Sequence, residues 1–140
     1  MTVRKRCSWL HDFSLNAASK EIHEIVNAGS KFEKVLRNVK RVVDAKREVG
    51  GEVLIGGQMT IVEQNIHEIP EFIVKREEFG FEVSKFSYDW RVPRLLARDP
   101  ALKSRLTEEI GAAIETAMRG KAAGELKRIH TERLSMLGLV

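Results

Sequence analysis

Glu52-Val53-Leu54-Ile55-Gly56-Gly57-Gln58-Met59-Thr60-Ile61-Val62 decides the fold class. It is apolar on both faces around 53–55 and again around 59–62, the pattern of a strand covered on both sides. Gly56-Gly57 in its middle predicts a bulge or a close backbone approach. No Lys-Ser/Thr pair follows the two glycines, so a phosphate loop is not the reading. Immediately upstream, apolar residues recur at Phe32, Val35, Leu36, Val39, Val42 and Val43, the 3.6-residue stripe of a helix on a core. Ser30-Lys31-Phe32-Glu33 reads as a capping box at its start and Gly50-Gly51 as its stop, giving a helix near 31–48.

Further out, residues 9–15 read as a strand with apolar side chains at Trp9, Phe13 and Leu15. A loop at 16–19 ends in Ser19, an N-cap for a short helix carrying Ile22, Ile25 and Val26 that Gly29 stops. Downstream, a helix begins with Asn65 as cap or with Pro70 in its first turn, and it buries Ile69, Phe72, Ile73 and Phe79. A third strand spans 81–88. After Pro93 the pattern is helical. Asp99-Pro100 opens a helix facing Leu102, Leu106, Ile110, Ile114 and Met118 inward, and a break at 120–124 precedes a last helix with Leu126, Ile129, Leu134 and Leu137. Strand–helix alternation specifies an α/β chain with three parallel strands and right-handed crossover helices. A three-stranded parallel sheet has two long edges, so the chain reads as a section of something larger.

The composition fits a soluble globular chain: 140 residues, 43% hydrophobic and 31% charged. Cys7 is the only cysteine, which excludes a disulfide scaffold and any centre held by several thiolates of this chain. No run reaches the roughly 18 apolar residues of a membrane span, and the basic start is followed by too few apolar residues for a secretory signal. A reducing cytoplasm is the expected location. Basic residues exceed acids by 11 to 6 over 1–50 and by 10 to 6 over 91–140, whereas acids lead 8 to 3 over 51–90. That is the pattern of alternating charged helix faces, and nucleic acid is not the expected partner.

The run from Phe13 to Tyr88 resembles the second half of the core domain of radical S-adenosylmethionine proteins. Phe13-Ser14-Leu15-Asn16-Ala17 stands where that family has a strand ending in Ser-Leu-Asp-Gly or a variant. His23 to Val39 is similar to a segment ending in Gly, a short gap and F-x-x-V-x-x-N. Thr60 to Ile69 is similar to the strand leading to N-x-x-E-[IL], and Glu77-Glu78-Phe79-Gly80-Phe81-Glu82-Val83 to E-x-x-G-x-[DE]-x-V. Each motif is also ordinary helix-capping grammar; their order and spacing carry the likeness.

The resemblance implies a partial (β/α) barrel section over 1–93, its strands the fourth to sixth of six, followed by a helical tail over 94–140. It implies S-adenosylmethionine at the carboxyl ends of the strands, with Ser14 and Asn16 near its ribose or amino-acid part. Val62, Gln64 and Asn65 would lie near the adenine or ribose, and Tyr88 would flank the adenine. The complete family holds a [4Fe–4S] cluster on C-x-x-x-C-x-x-C and cleaves the cofactor reductively to a 5′-deoxyadenosyl radical. With Cys7 alone, no cluster is expected here, and the chain reads as a truncated or split protein, inactive alone, or as a descendant with no redox role. Its expected partners are the missing amino-terminal barrel half or a second copy, with the substrate unknown. The alternative is a small α/β interaction module without catalysis. Among single residues, His11, His23, His67 and His130 lack metal-ligand spacing, Cys7 reads as an incidental thiol, and Trp9 and Trp90 read as core or interface residues.

Overall fold

The computed structural model describes residues 10–121 and 128–140; Cys7, Trp9 and Leu126 lie outside the described residues. Strands β1 (Leu10–Ser14), β2 (Leu54–Ile61) and β3 (Val83–Tyr88) form one sheet in the order β1-β2-β3. Both pairings are parallel, with Asp12 opposite Gly56 and Gly56 opposite Val83. Helices α1 (Lys20–Val26) and α2 (Phe32–Val49) join β1 to β2. A 3-10 turn (Ile66–Glu68), α3 (Ile69–Val74) and α4 (Arg76–Phe79) join β2 to β3, and α5 (Val92–Arg98), α6 (Pro100–Met118) and α7 (Glu132–Met136) follow. The chain is α/β, as the alternation requires.

Three helix starts show local chemistry directly. Ser19 accepts from the backbone N–H of Ile22, Asp99 accepts from that of Leu102 at 3.0 Å, and Pro70 sits in the first turn of α3. The Ser30–Glu33 capping box does not form: Lys31 is the N-cap of α2 and makes no side-chain bond there. The Ser30 hydroxyl lies 2.9 Å from Nε2 of buried His23, and Glu33 pairs with Lys20 at 3.0 Å. A fully buried imidazole left without a partner costs about 1–3 kcal/mol, more than a solvated helix end gains from its cap. Glu24 takes over by accepting from the backbone N–H of Phe32.

One face of the sheet carries the core. Ile55, Met59, Ile61 and Phe86 are buried, and Phe72 of α3 meets Phe86 edge-on at 5.7 Å. Burying each such side chain contributes about 1.5–3 kcal/mol. β2 runs through Gly56-Gly57 with unbroken register, so there is no bulge. The glycines serve a close approach instead: a Cβ at Gly57 would stand 2.1 Å from the Phe81 ring. Helix α6 packs on α3, and Leu106, Ile110 and Ala113 join the same hydrophobic cluster as the sheet.

Ile129 is not helical, contrary to the sequence pattern. It forms a parallel bridge to Ser84, and the His130 backbone N–H donates to the Ser84 carbonyl at 2.9 Å. The buried outer edge of β3 needs partners for its backbone groups, and this segment provides them. Beyond it, α7 is a single short turn whose Leu134 is buried, as are Leu137 and Leu139. The outer edge of β1 has no paired strand among the described residues.

The second face of the sheet is apolar at its amino-terminal end, where Leu10, Leu54 and buried Val83 lie, but polar toward the carboxyl ends, which departs from the pattern around 59–62. Register and alternation put Asp12, Ser14, Gln58, Thr60, Lys85 and Ser87 on it, and all are partly or fully exposed. No helix among the described residues is long and apolar enough to cross a membrane.

Candidate functional site at the carboxyl ends of the strands

In open α/β sheets, ligands bind beyond the carboxyl ends of the strands, because loops and helix starts converge there. In this protein that end is built on a polar scaffold. Asn16 follows β1 with φ 59°, a left-handed conformation that asparagine tolerates better than most residues. Its Oδ1 accepts from the Thr60 backbone N–H at 2.8 Å, its Nδ2 donates to Asn27 Oδ1 at 2.9 Å, and its backbone N–H donates to the Gln58 carbonyl. Asn65, fully buried, donates to the carbonyls of Asn16 and Thr60 and accepts from the Val62 N–H at 2.8 Å. Glu68 accepts from the Ala18 N–H at 2.7 Å, and His23 Nδ1 donates to the Leu15 carbonyl. Leu15 offers only an acceptor there, so the hydrogen sits on Nδ1 and Nε2 accepts from Ser30 when the ring is neutral. Each bond contributes about 1 kcal/mol net, and together they fix the strand ends against one another.

Above this scaffold lies a cleft of about 420 Å³, lined by Val62, Glu63 and Gln64 after β2 and by Asp89, Trp90, Arg91, Arg94, Leu95 and Arg98 after β3. The Asp89 backbone N–H donates to the Ile61 carbonyl at 2.9 Å, extending the β2–β3 ladder to the cleft floor. Asp89 in turn accepts from the Arg91 backbone N–H, Nε and Nη2, at 2.9, 3.0 and 3.3 Å, which hold its carboxyl below the usual aspartate range. The Arg91 guanidinium stacks 5.3 Å from the centre of the Trp90 ring. Trp90 is 72% exposed, so of the two readings, core or interface, the core one does not hold.

The open sheet face continues from the cleft. Thr60 and Ser87 hydroxyls are 3.1 Å apart, Gln58 donates to Ser87 at 3.3 Å, and Lys85 reaches Asp12 at 2.8 Å.

Of the six residues the resemblance points to, Val62 and Gln64 come together on the cleft wall. Asn16 and Asn65 lie beneath, with the polar groups of both side chains committed to the scaffold. Ser14 is exposed on the open face, and Tyr88 packs half-buried against the core. His67 is exposed and stands apart from the cleft lining.

Sequence reading passes over Gln58, Thr60 and Lys85, which with Ser87, read only as a neighbour of Tyr88 beside the adenine, alternate within two strands and so signal a polar face. It also passes over Arg91, Arg94 and Arg98, whose spacing of three and four places them on one side of a helix. Among the described residues no group of three His, Cys, Asp or Glu is arranged to hold a metal ion. A [4Fe–4S] cluster does not fit this chain, which has one thiol. A comparison with protein-family models, curated proteins and solved structures finds no match.

Proposed function

We propose that this chain is the carboxyl-side section of a barrel-type radical S-adenosylmethionine domain, truncated or split, and that it works in the cytoplasm. In this reading β1, β2 and β3 are the last three strands of a partial (β/α) barrel. Their polar face lines the lumen, and the rim at Val62 and Gln64 receives the cofactor. A partner segment supplies the missing strands and the cluster thiolates.

The observation that carries the reading is the asymmetry of the sheet edges. The family order requires another strand beside β1 and none beyond β3. Here β1 is open among the described residues, while Ile129 and His130 occupy β3 at Ser84. The hydrogen-bonded polar face supports it as well, because a parallel sheet normally buries both faces in apolar contacts. The alternative, an interaction module, uses the same open edge but gives the polar face no task.

Titrating the full chain with S-adenosylmethionine and following backbone amide resonances tests the reading. Weak saturable binding is expected, with a Kd on the order of 1 mM. The shifts should be confined to Gln58, Thr60, Val62, Gln64 and Ser87. No shift at these positions would overturn it, and so would stoichiometric cluster assembly by the chain alone after incubation with iron and sulfide.

A further inference from the structure

The cleft beside α5 has a charge problem that the cofactor does not solve. Three arginines line it, and Arg91 is already matched by Asp89. Arg94 and Arg98, one helical turn apart, are exposed and have no carboxylate partner among the described residues. Glu63 is the only other acid on the lining. Exposed guanidinium groups one helical turn apart repel only weakly in water, but their planar forks match phosphate oxygens two at a time, so an anion between them would be held by both. A phosphate monoester, at about −1.5 to −2 near neutral pH, matches the pair. S-adenosylmethionine, whose sulfonium and ammonium outweigh its carboxylate, does not.

The same cleft presents a flat apolar surface. Trp90 is held from one side: Asp89 fixes Arg91 through two side-chain bonds, and Arg91 stacks on the indole. The ring is thus oriented while most of it stays exposed. An oriented, solvent-facing indole stacks a planar ring with little loss of side-chain freedom. The volume of about 420 Å³ suits a ligand of nucleotide size.

We propose that this cleft binds a small planar-ring phosphate, such as a nucleoside monophosphate. Trp90 stacks the ring, and Arg94 and Arg98 hold the phosphate. The inference names a substrate class for the barrel end proposed above, and it rests on that reading only in taking the carboxyl ends of the strands as the working end.

Calorimetric titration of the full chain with AMP, adenosine and inorganic phosphate tests it. AMP should bind at one saturable site, with adenosine and phosphate each at least about tenfold weaker, since either lacks one of the two contacts. Arg94→Gln combined with Arg98→Gln should weaken AMP by about tenfold or more while leaving the thermal midpoint unchanged, because both side chains are exposed. Trp90→Ala should weaken AMP and adenosine alike. Equal affinity for AMP and adenosine, unchanged affinity in the arginine variant, or no saturable AMP binding would each overturn the proposal. AMP binding without cofactor shifts at Gln58, Thr60 and Ser87 would uphold this inference and reject the barrel reading. Cofactor shifts without AMP binding would do the reverse.

Discussion

Asp12 and Lys85 bond across the whole width of the sheet: the carboxylate of one outer strand and the ammonium of the other meet at 2.8 Å over Gly56 of the central strand. The contact exists because Gly56 has no side chain. A Cβ there would lie 2.5 Å from Asp12 Oδ1 and 3.1 Å from Leu10 Cδ1. Both ends are about one-third exposed, so the pair itself contributes no more than about 1 kcal/mol.

The two adjacent glycines therefore respond differently to the same substitution. Gly56→Ala displaces a carboxylate that can rotate toward solvent, and the lower entropy of the unfolded chain offsets part of the loss. A net change within about 1 kcal/mol is expected. Gly57→Ala drives a methyl into the ring of Phe81, which is buried under Phe72 and Phe79. Overpacking of that kind costs about 1–3 kcal/mol. Urea unfolding of the two variants side by side measures the difference, and equal midpoints would contradict this account.

Asn16 combines an unusual backbone with a committed side chain, and substitutions can separate the two. Asn16→Gly relieves the positive φ but leaves the Thr60 N–H and Asn27 Oδ1 without their partner. Asn16→Ala adds left-handed strain of about 1 kcal/mol to that loss. Both should destabilise, with alanine the worse by about that amount. Alanine equal to glycine in equilibrium unfolding would show that the backbone angle carries no strain.

Glu82 makes stability depend on pH in a defined direction. Burial alone would raise its pKa, but Lys46 at 2.6 Å and the Ile55 backbone N–H at 2.9 Å outweigh it, so the carboxyl titrates below its ordinary 4.5. A depressed folded value adds stability that is present above the unfolded value and is lost as pH falls through the folded one. Glu82→Gln should therefore be less stable at neutral pH, by about 1 kcal/mol after allowance for the exposed third of the side chain. The gap should narrow as pH falls below the ordinary 4.5 and vanish once the folded carboxyl is itself protonated. A gap that does not narrow with falling pH would mean that packing, not charge, sets it.

The carboxyl-terminal segment is expected to matter as much as the sheet. Leu134 is fully buried and Met136, two residues on, is 64% exposed. Leu134→Ala should cost about 2–5 kcal/mol, and Met136→Ala should stay within about 0.5 kcal/mol. Thermal unfolding of both variants provides the check.

The strand order, the α2 stripe and the start of α3 at Pro70 were legible because each rests on periodicity or on a residue's own backbone chemistry. What sequence could not show was competition. Ser30 and Glu33 spell a capping box, yet His23, seven residues upstream, takes the Ser30 hydroxyl and Lys20 takes Glu33. Ile129 fits a helical stripe, yet the open backbone of Ser84 recruits it into the sheet. At the site, Asn16 and Asn65 stand out as polar residues at strand ends, but their amides are spent on the scaffold: Asn65 donates to the carbonyls of Asn16 and Thr60, and Asn16 bonds the Thr60 N–H and Asn27. The cleft arginines lie beyond the stretch whose motifs drew attention, and only folding brings Arg94 and Arg98 to the same wall as Gln64.

The bridge from Ile129 to Ser84 also sets a stoichiometry. Among the described residues β1 has no paired strand while β3 meets Ile129 at Ser84, so β1 is the edge at which strand addition is expected. Whatever strand pairs with β1, whether from another polypeptide or a second copy, the reaction ends at one partner per chain. Two receptive edges would let such sheets polymerise without limit; with one, a concentration series should rise to a plateau at a two-chain complex and show no ladder beyond it.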